Sequence, residues 1–387
     1  MAASTNIPLI MRIVSASIPV STRAGRIIRD ILKKGELGIV EKAKNDLQTE
    51  ADRSAQRCIV ASLHKQFPNV AIFGEEQLDP SEKFDPNFLE TSSCDEVLTK
   101  KCPEFLTDAK DEDVVIWVDP LDGTSEYTQG LLDHVTVLVG IAFKGRAVAG
   151  VIYQPYYNYK AGPDSVLGRC IWGIIGVGSY GFSRQKAPKG QNIITTSRAH
   201  SDRIVTESVE ACKPTSIIRA GGAGHKVLLI IEGKAHAYIF ASRGTKKWDT
   251  CAPEAVLHAL GGKLTDLHGN AMLYSADVQR KNSGGILATV DNHSWYTEKI
   301  PEHVKETLPS DPVPDFMKKL EKPLVIPEIK SSSSPVNSPP LESQDSQSEQ
   351  WFMTKDVKAM FAPNSNSSNS DNGSEISPKK PKPNPES

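Results

Sequence analysis

Apolar positions near a 3.6-residue period open the chain. Ile10, Ile13, Val14, Ala24, Ile27, Ile28, Ile31 and Leu32 share one face and predict an amphipathic helix. Pro19 interrupts that face. An interior proline costs ~3 kcal/mol, so a kink or a pair of helices is expected there. Gly35 and Gly38 close the element, and a second helix is predicted over 49–66. The period then shortens. A strand over 70–73 runs into Gly74-Glu75-Glu76, and a buried-looking strand over 114–118 runs into Asp119. The polar stretch between them, 79–113, carries no readable period.

Two β-rich runs, 136–143 and 146–154, are separated by Lys144-Gly145, the signature of a two-residue hairpin. The region 171–182 reads as strand punctuated by Gly176 and Gly178. The second half alternates. Strands are predicted over 192–196, 216–220, 235–241, 263–266 and 285–290. Helices are predicted over 202–212, from Gly221-Gly222-Ala223-Gly224 to 232, and over 250–260. The expected fold is therefore α+β: helices on an antiparallel sheet first, then a layered α/β arrangement. The expected division is 5–160, 161–312 and a linker with tail, 313–387. From Ser331 the chain is rich in Ser, Pro, Asn and Gln, too polar to offset its ordering entropy, and is predicted disordered. Within it, Trp351, Phe352, Met353, Val357, Met360 and Phe361 form an apolar island over 351–361. It is either a short partner-binding helix or a chance cluster.

Composition narrows the function classes. The chain has 387 residues and a net charge of −2, so no global basic field draws it to nucleic acid or acidic membrane. No apolar run approaches the ~20 residues of a membrane helix, and no signal peptide is expected. The six cysteines include no C-x-x-C pair, which suits free thiols in a reducing compartment. A cytoplasmic location is expected, with nuclear access through the import-like run Lys379-Lys380-Pro381-Lys382.

The chemistry concentrates in Asp119-Pro120-Leu121-Asp122-Gly123-Thr124. Pro120 restricts Asp119 to extended backbone, and Gly123 permits a sharp turn. Both carboxylates and the Leu121 carbonyl can then converge, and hard cations such as Mg²⁺ want such oxygens. Thr124 adds a hydroxyl that can orient a water. Other acids stand in suggestive places, each with a plainer alternative. Glu75 follows a strand and is a ligand or a loop acid; Asp249 precedes a helix and is a ligand or an N-cap. Asp52 lies on a helix and is a site acid or a solvated one. Together they suggest a polynuclear magnesium site able to clamp an in-line displacement at phosphorus.

At these residues the chain resembles the lithium-sensitive, Mg²⁺-dependent phosphatase superfamily of inositol monophosphatase and fructose-1,6-bisphosphatase. The resemblance rests on Gly74-Glu75-Glu76, the Asp119–Thr124 hexapeptide and Trp248-Asp249-x-x-Ala252-Pro253, and covers about residues 8–308. Gly38–Lys42, Asp46–Thr49, Gln154–Tyr159 and Gly221–Gly224 make it most similar to the 3′(2′),5′-bisphosphate nucleotidase branch. It implies the family's αβαβα sandwich and two or three Mg²⁺ ions. Glu75, Asp119 and the Leu121 carbonyl would hold the first ion, and Asp119, Asp122 and Asp249 the second; a third would sit near Glu75. Thr124 paired with Asp52 would activate the attacking water, supported by Asp46. Ser197, His200, Gly222 and Lys226 would bind the nucleotide; read alone, His200 and Lys226 are equally surface residues. The implied reaction is lithium-inhibited removal of the 3′-phosphate of adenosine 3′,5′-bisphosphate, giving AMP, with 3′-phosphoadenylyl sulfate as a further substrate. The alternatives are an inositol 1,4-bisphosphate phosphatase and a nucleotide-sensing scaffold. The chain departs from the family pattern at Pro19, at Ser125 where Lys is usual, at Ser197 where Thr is typical, and at His225 where Asn is usual.

Overall fold

The computed structural model describes residues 7–43, 46–77, 86–162, 165–199 and 202–313. The expectations for His200, the disordered tail and the 351–361 island lie outside these residues. The periodic opening forms one helix, α1, Leu9–Lys34, with Pro19 inside it. Two helices were the alternative expected, and the structure shows why one suffices. Proline cannot donate to the carbonyl four residues back, which is that of Ser15. That carbonyl instead accepts from the Cys94 amide at 3.0 Å, while the Ser15 hydroxyl bonds the Cys94 carbonyl at 2.9 Å. The unreadable polar stretch thus supplies the bond that Pro19 removes.

Next come a hairpin, β1 Val40–Ala43 with β2 Asp46–Gln48, then helix α2, Glu50–Gln66, and strand β3, Ala71–Gly74. A one-turn helix, α3 Asp95–Leu98, precedes β4, Val114–Asp122. Helix α4 is Thr124–Thr128. Strands β5 Thr136–Phe143, β6 Arg146–Gln154, β7 Arg169–Ile174 and β8 Gly178–Tyr180 follow. With β3 and β4 they form a six-stranded sheet in chain order. The expectation of an antiparallel sheet holds from β4 to β8, but β3 runs parallel to β4. This sheet continues past residue 160, to Tyr180.

The later elements are β9 Ile193–Ser197, α5 Arg203–Ala211, β10 Ser216–Ala220, α6 Ala223–Ile231, β11 Ala237–Phe240, α7 Lys247–His258, β12 Lys263–Thr265 and β13 Ile286–Thr289. Their five strands order as β10-β9-β11-β13-β12, the first three parallel and the rest antiparallel. The layers are α1 and α2, the six-stranded sheet, α6 and α7, the five-stranded sheet, then α5: an αβαβα sandwich. β4 shows how the layers are coded. All nine of its residues are buried. Val114, Ile116 and Val118 enter the core under α1 and α2, whereas Val115 and Trp117 enter the core shared with α7. A strand covered on both faces reads as a continuous apolar run. Among the described residues, no helix is long and apolar enough to cross a membrane.

Candidate active site

Parallel pairing of β3 with β4 brings their C-terminal ends together, with Gly74 beside Val118. The Glu75 amide donates to the Val118 carbonyl at 3.1 Å, so Glu75 and Asp119 emerge side by side. The hexapeptide is not a turn after the strand, as its Pro and Gly suggested. β4 continues to Asp122, which pairs with Thr136 across a register shift after Asp119. Pro120 has no amide for the ladder, so the strand bulges there and re-aims both aspartates. The reversal comes one residue later, at Gly123, with φ +91°. The Asp119 carboxylate accepts from the Leu121 amide at 3.0 Å.

The helix termini supply the other acids. Thr49 caps α2, and its amide donates to Asp52 at 2.6 Å. Asp249 is not the N-cap that its position suggested. α7 begins earlier, at Lys247, and the Lys246 amide donates to Asp249 at 2.7 Å. Asp52 and Asp249 therefore occupy the same first-turn position, each with one oxygen tied to the N-cap amide three residues earlier. There a carboxylate also meets the positive end of the helix dipole. α7 is fastened from below. Lys247 is fully buried, and its ammonium meets Asp311 at 2.5 Å. Asp311 also accepts from the Ser283 amide at 2.8 Å and the Gln279 side chain at 2.6 Å.

These elements enclose a cleft of about 560 Å³, within the range of small-ligand sites. Asp46, Glu75, Asp119, Leu121, Asp122, Thr124, Ser197, Gly222, Lys226 and Asp249 all line it. Asp52 stands behind them, fully buried, and accepts the Thr124 hydroxyl at 3.0 Å; the Leu121 carbonyl is also 3.0 Å from that hydroxyl. Asp46 lies at the rim, 3.6 Å from the ammonium groups of Lys42 and Lys246.

The acids are held against their preferred ionisation. Burial pushes Asp52 up to about 7, despite its bonds from Thr49 and Thr124. Burial, then Glu75, Asp122 and the adjoining Asp249 carboxyl, raise Asp119 well above the usual carboxylate range. Asp249 is pushed up to about 7, by burial first and then by Glu75 and Asp122. Asp122 is raised by burial, opposed by Lys226, Thr136 and two loop amides. Carboxyls that raise one another in a buried cleft, as Asp249 raises Asp119, need a shared proton or a cation between them.

Among the described residues, no three His, Cys, Asp or Glu side chains stand in a preformed metal cage. The donor set nonetheless fits Mg²⁺: oxygen only, open to the cleft, and short of a full shell. Mg²⁺ keeps several waters and is bound through few carboxylates rather than dedicated cages.

Several contributors escaped sequence reasoning. Lys42, on the exposed β1, reaches Glu75 at 3.2 Å and Glu76 at 2.8 Å. Lys246 lies 3.7 Å from Glu75. Glu75 thus faces two ammonium groups in addition to the neighbouring acids. Thr136 donates to Asp122 at 2.7 Å. A lysine on a short polar hairpin gives no sequence signal of where it reaches.

The opposite wall is the connection from β10 to α6. Asp122 accepts from the amides of Ala223 and Gly224, both at 2.8 Å. Gly222 has φ +67°, and a Cβ there would come within 2.6 Å of the His134 carbonyl oxygen. Among the described residues the Gly222 amide hydrogen has no partner. Lys226 is buried and donates to the Gly222 carbonyl at 2.7 Å.

A mixed-sheet sandwich with an acid-lined cleft at the strand ends defines a class. The pattern of the inositol monophosphatase family matches residues 11–305, and the chain belongs to that family. Its relatives include the human 3′(2′),5′-bisphosphate nucleotidase 1, 54% identical over 307 residues, which are 79% of this chain and 99% of that protein. The enzyme of the same name from Dictyostelium discoideum is 40% identical over 301 residues, 75% of this chain and 96% of that one. The mouse Golgi-resident adenosine 3′,5′-bisphosphate 3′-phosphatase is 33% identical, over 70% of this chain and 74% of that one. Among solved structures, the extragenic suppressor protein suhB of Bartonella henselae superposes with a TM-score of 0.55 at 20% identity, covering 74% of this chain and 97% of that one. At that identity the likeness speaks for the fold.

Proposed function

We propose that the chain is a Mg²⁺-dependent, lithium-inhibited phosphatase that removes the 3′-phosphate of adenosine 3′,5′-bisphosphate, yielding AMP and phosphate. The carrying observation is the Thr124–Asp52 pair set behind Asp119 and Asp122, across one cleft from Gly222 and Lys226. Names of relatives support the nucleotide over an inositol phosphate.

Glu75, Asp119, Asp122, Asp249 and the Leu121 carbonyl would hold two or three Mg²⁺ ions, with Asp46 at the rim in support. Bound there, Mg²⁺ supplies charge stabilisation for the phosphoryl group and eases ionisation of water. The protein's own part is proton management and orientation. Thr124 accepts the proton of the attacking water as it passes its own to Asp52. Burial raises the pKa of Asp52, to about 7 in the metal-free site, and so favours its receiving that proton. Water oxygen bonds to phosphorus, the bond from phosphorus to the ribose 3′-oxygen breaks, and that oxygen takes a proton from a cleft water; Asp52 later returns its proton to solvent. The free Gly222 amide and the positive end of α6 favour an anionic nucleotide group, with Lys226 and Ser197 beside it. By the family resemblance His200, outside the described residues, would also bind the nucleotide. In this reading residues 5–160 supply the acids other than Asp249, and 161–312 supply Asp249 and the nucleotide wall. The 351–361 segment would serve a separate partner. 3′-Phosphoadenylyl sulfate carries the same 3′-phosphate and would be a second substrate.

Phosphate release from purified protein, with adenosine 3′,5′-bisphosphate and inositol 1,4-bisphosphate side by side, with and without Li⁺, tests this reading. Faster turnover of the inositol phosphate would sink it. Undiminished activity in Asp122→Asn would remove the two-ion assignment.

A further inference from the structure

One residue that does not line the cleft grips the glycine loop from behind. His134 ends the short helical turn Leu132–His134 ahead of β5. Its Nδ1 accepts from the Gly221 amide at 3.1 Å. Its carbonyl oxygen lies against the loop, within 2.6 Å of where a Gly222 Cβ would stand and 3.1 Å of where a Gly123 Cβ would stand. His225 of α6 stacks on the imidazole, with centroids 4.7 Å apart and planes at 25°. On its other side Gly221 packs on Glu126, whose carboxyl carbon would be 1.9 Å from a Cβ. Gly221 is thus held between His134 and Glu126, and Gly222 between the His134 carbonyl and Asp122.

We infer that His134 is a positioning residue for nucleotide binding: by holding the Gly221 amide it aims the unpartnered Gly222 amide into the cleft. The inference rests on the nucleotide reading above. The bond requires a lone pair on Nδ1, hence the neutral ring with its proton on Nε2. An imidazolium would set N–H against N–H and release the loop. The groups facing His134 are Asp133 on its own turn, Glu126 on α4, Lys226 and His225 on α6, and Arg198 after β9. Burial lowers the His134 pKa, Glu126 and Asp133 oppose this, and Lys226 and Arg198 add to it. The loop thus stays fastened at neutral pH and loosens only in acid.

Steady-state kinetics of the full chain at saturating Mg²⁺, with adenosine 3′,5′-bisphosphate, test this. His134→Ala should raise KM ~10-fold, the scale of one lost buried hydrogen bond, and leave kcat within ~2-fold. His134→Asn places an amide oxygen where Nδ1 was and should bring KM back to within ~3-fold of wild type. Wild-type KM should climb as pH falls below the ordinary histidine range. The Asn variant should lack that added limb, because substrate and acid-cluster titrations are common to both. A wild-type KM in His134→Ala, a loss confined to kcat, an Asn variant as impaired as Ala, or an acid limb retained in Asn would each overturn the role. A wild-type chain unable to hydrolyse the nucleotide would instead overturn the reading on which it rests.

Discussion

On the wall made by β4, Glu75 and the first turn of α7, carboxylates crowd together with their pKa values raised by burial and by one another. On the wall made by Gly221–Gly224 and α6, the working groups are backbone amides and one buried lysine, nearly all already bonded. The first wall is strained until a cation arrives; the second is settled. Asp122 joins them, since its oxygens face the acids and also take two loop amides. A change on the first wall should therefore remove chemistry while sparing the fold, and a change on the second should weaken binding. The two walls are not independent at Asp122.

The largest expected effect is on the acid wall. Asp119→Asn should lower kcat on the order of 10³-fold, several kcal/mol of lost transition-state stabilisation. The metal-free variant should melt no lower than wild type, because a repelled buried carboxylate has been removed. A clear drop in its Tm would show that Asp119 is structural and break the comparison. Beneath that wall, Asp311→Ala leaves the buried Lys247 ammonium unpaired and should cost about 3–5 kcal/mol in urea unfolding; a change under about 1 kcal/mol would show that the pair does not brace α7. On the loop wall, Gly222→Ala forces a side chain into left-handed backbone against the His134 carbonyl. The strain of about 1–2 kcal/mol should raise KM ~10-fold with kcat little changed. A fall in kcat with KM unchanged would assign the loop to chemistry.

The smallest effect is on stability against pH. Asp52 and Asp249 have folded pKa values of about 7, against about 4 in an unfolded chain. Between those values the folded, metal-free protein binds more protons than the unfolded one, so its stability falls as pH rises from about 4 to about 7. Differential scanning calorimetry should show Tm declining across that window. Adding Mg²⁺ should raise Tm most at its upper end, where the acids are ionised. A metal-free Tm that rises with pH would contradict the strained-wall picture.

The acid wall was legible in sequence because its chemistry is carried by side chains behind short apolar strands. Asp119 and Asp122 stand out behind their strand, whereas position alone leaves Glu75 a ligand or a loop acid and the family resemblance makes the choice. What escaped depended on how elements meet. The parallel pairing of β3 with β4 aligns Glu75 with Asp119, and no local pattern announces it. The N-cap reading of Asp249 failed because α7 starts earlier, where the buried Lys247–Asp311 pair holds Lys247 in the first turn. The single helix across Pro19 depends on the bonds between Ser15 and Cys94, which lie 79 residues apart along the chain. The loop wall is written in backbone amides, so its sequence shows only glycines; His134 is coded on a different strand connection altogether.

The Lys247–Asp311 pair also orders events in time. During synthesis every acid of the cleft leaves the ribosome before residue 311 does. Until then the first turn of α7 carries a lysine whose partner carboxylate does not yet exist. Closing the pair withdraws that ammonium into the protein and fixes Asp249 toward the cleft. The turn that carries Asp249 is thus fastened by a residue that follows every cleft acid in the chain, so a nascent chain holds every candidate ligand before Asp311 has been made.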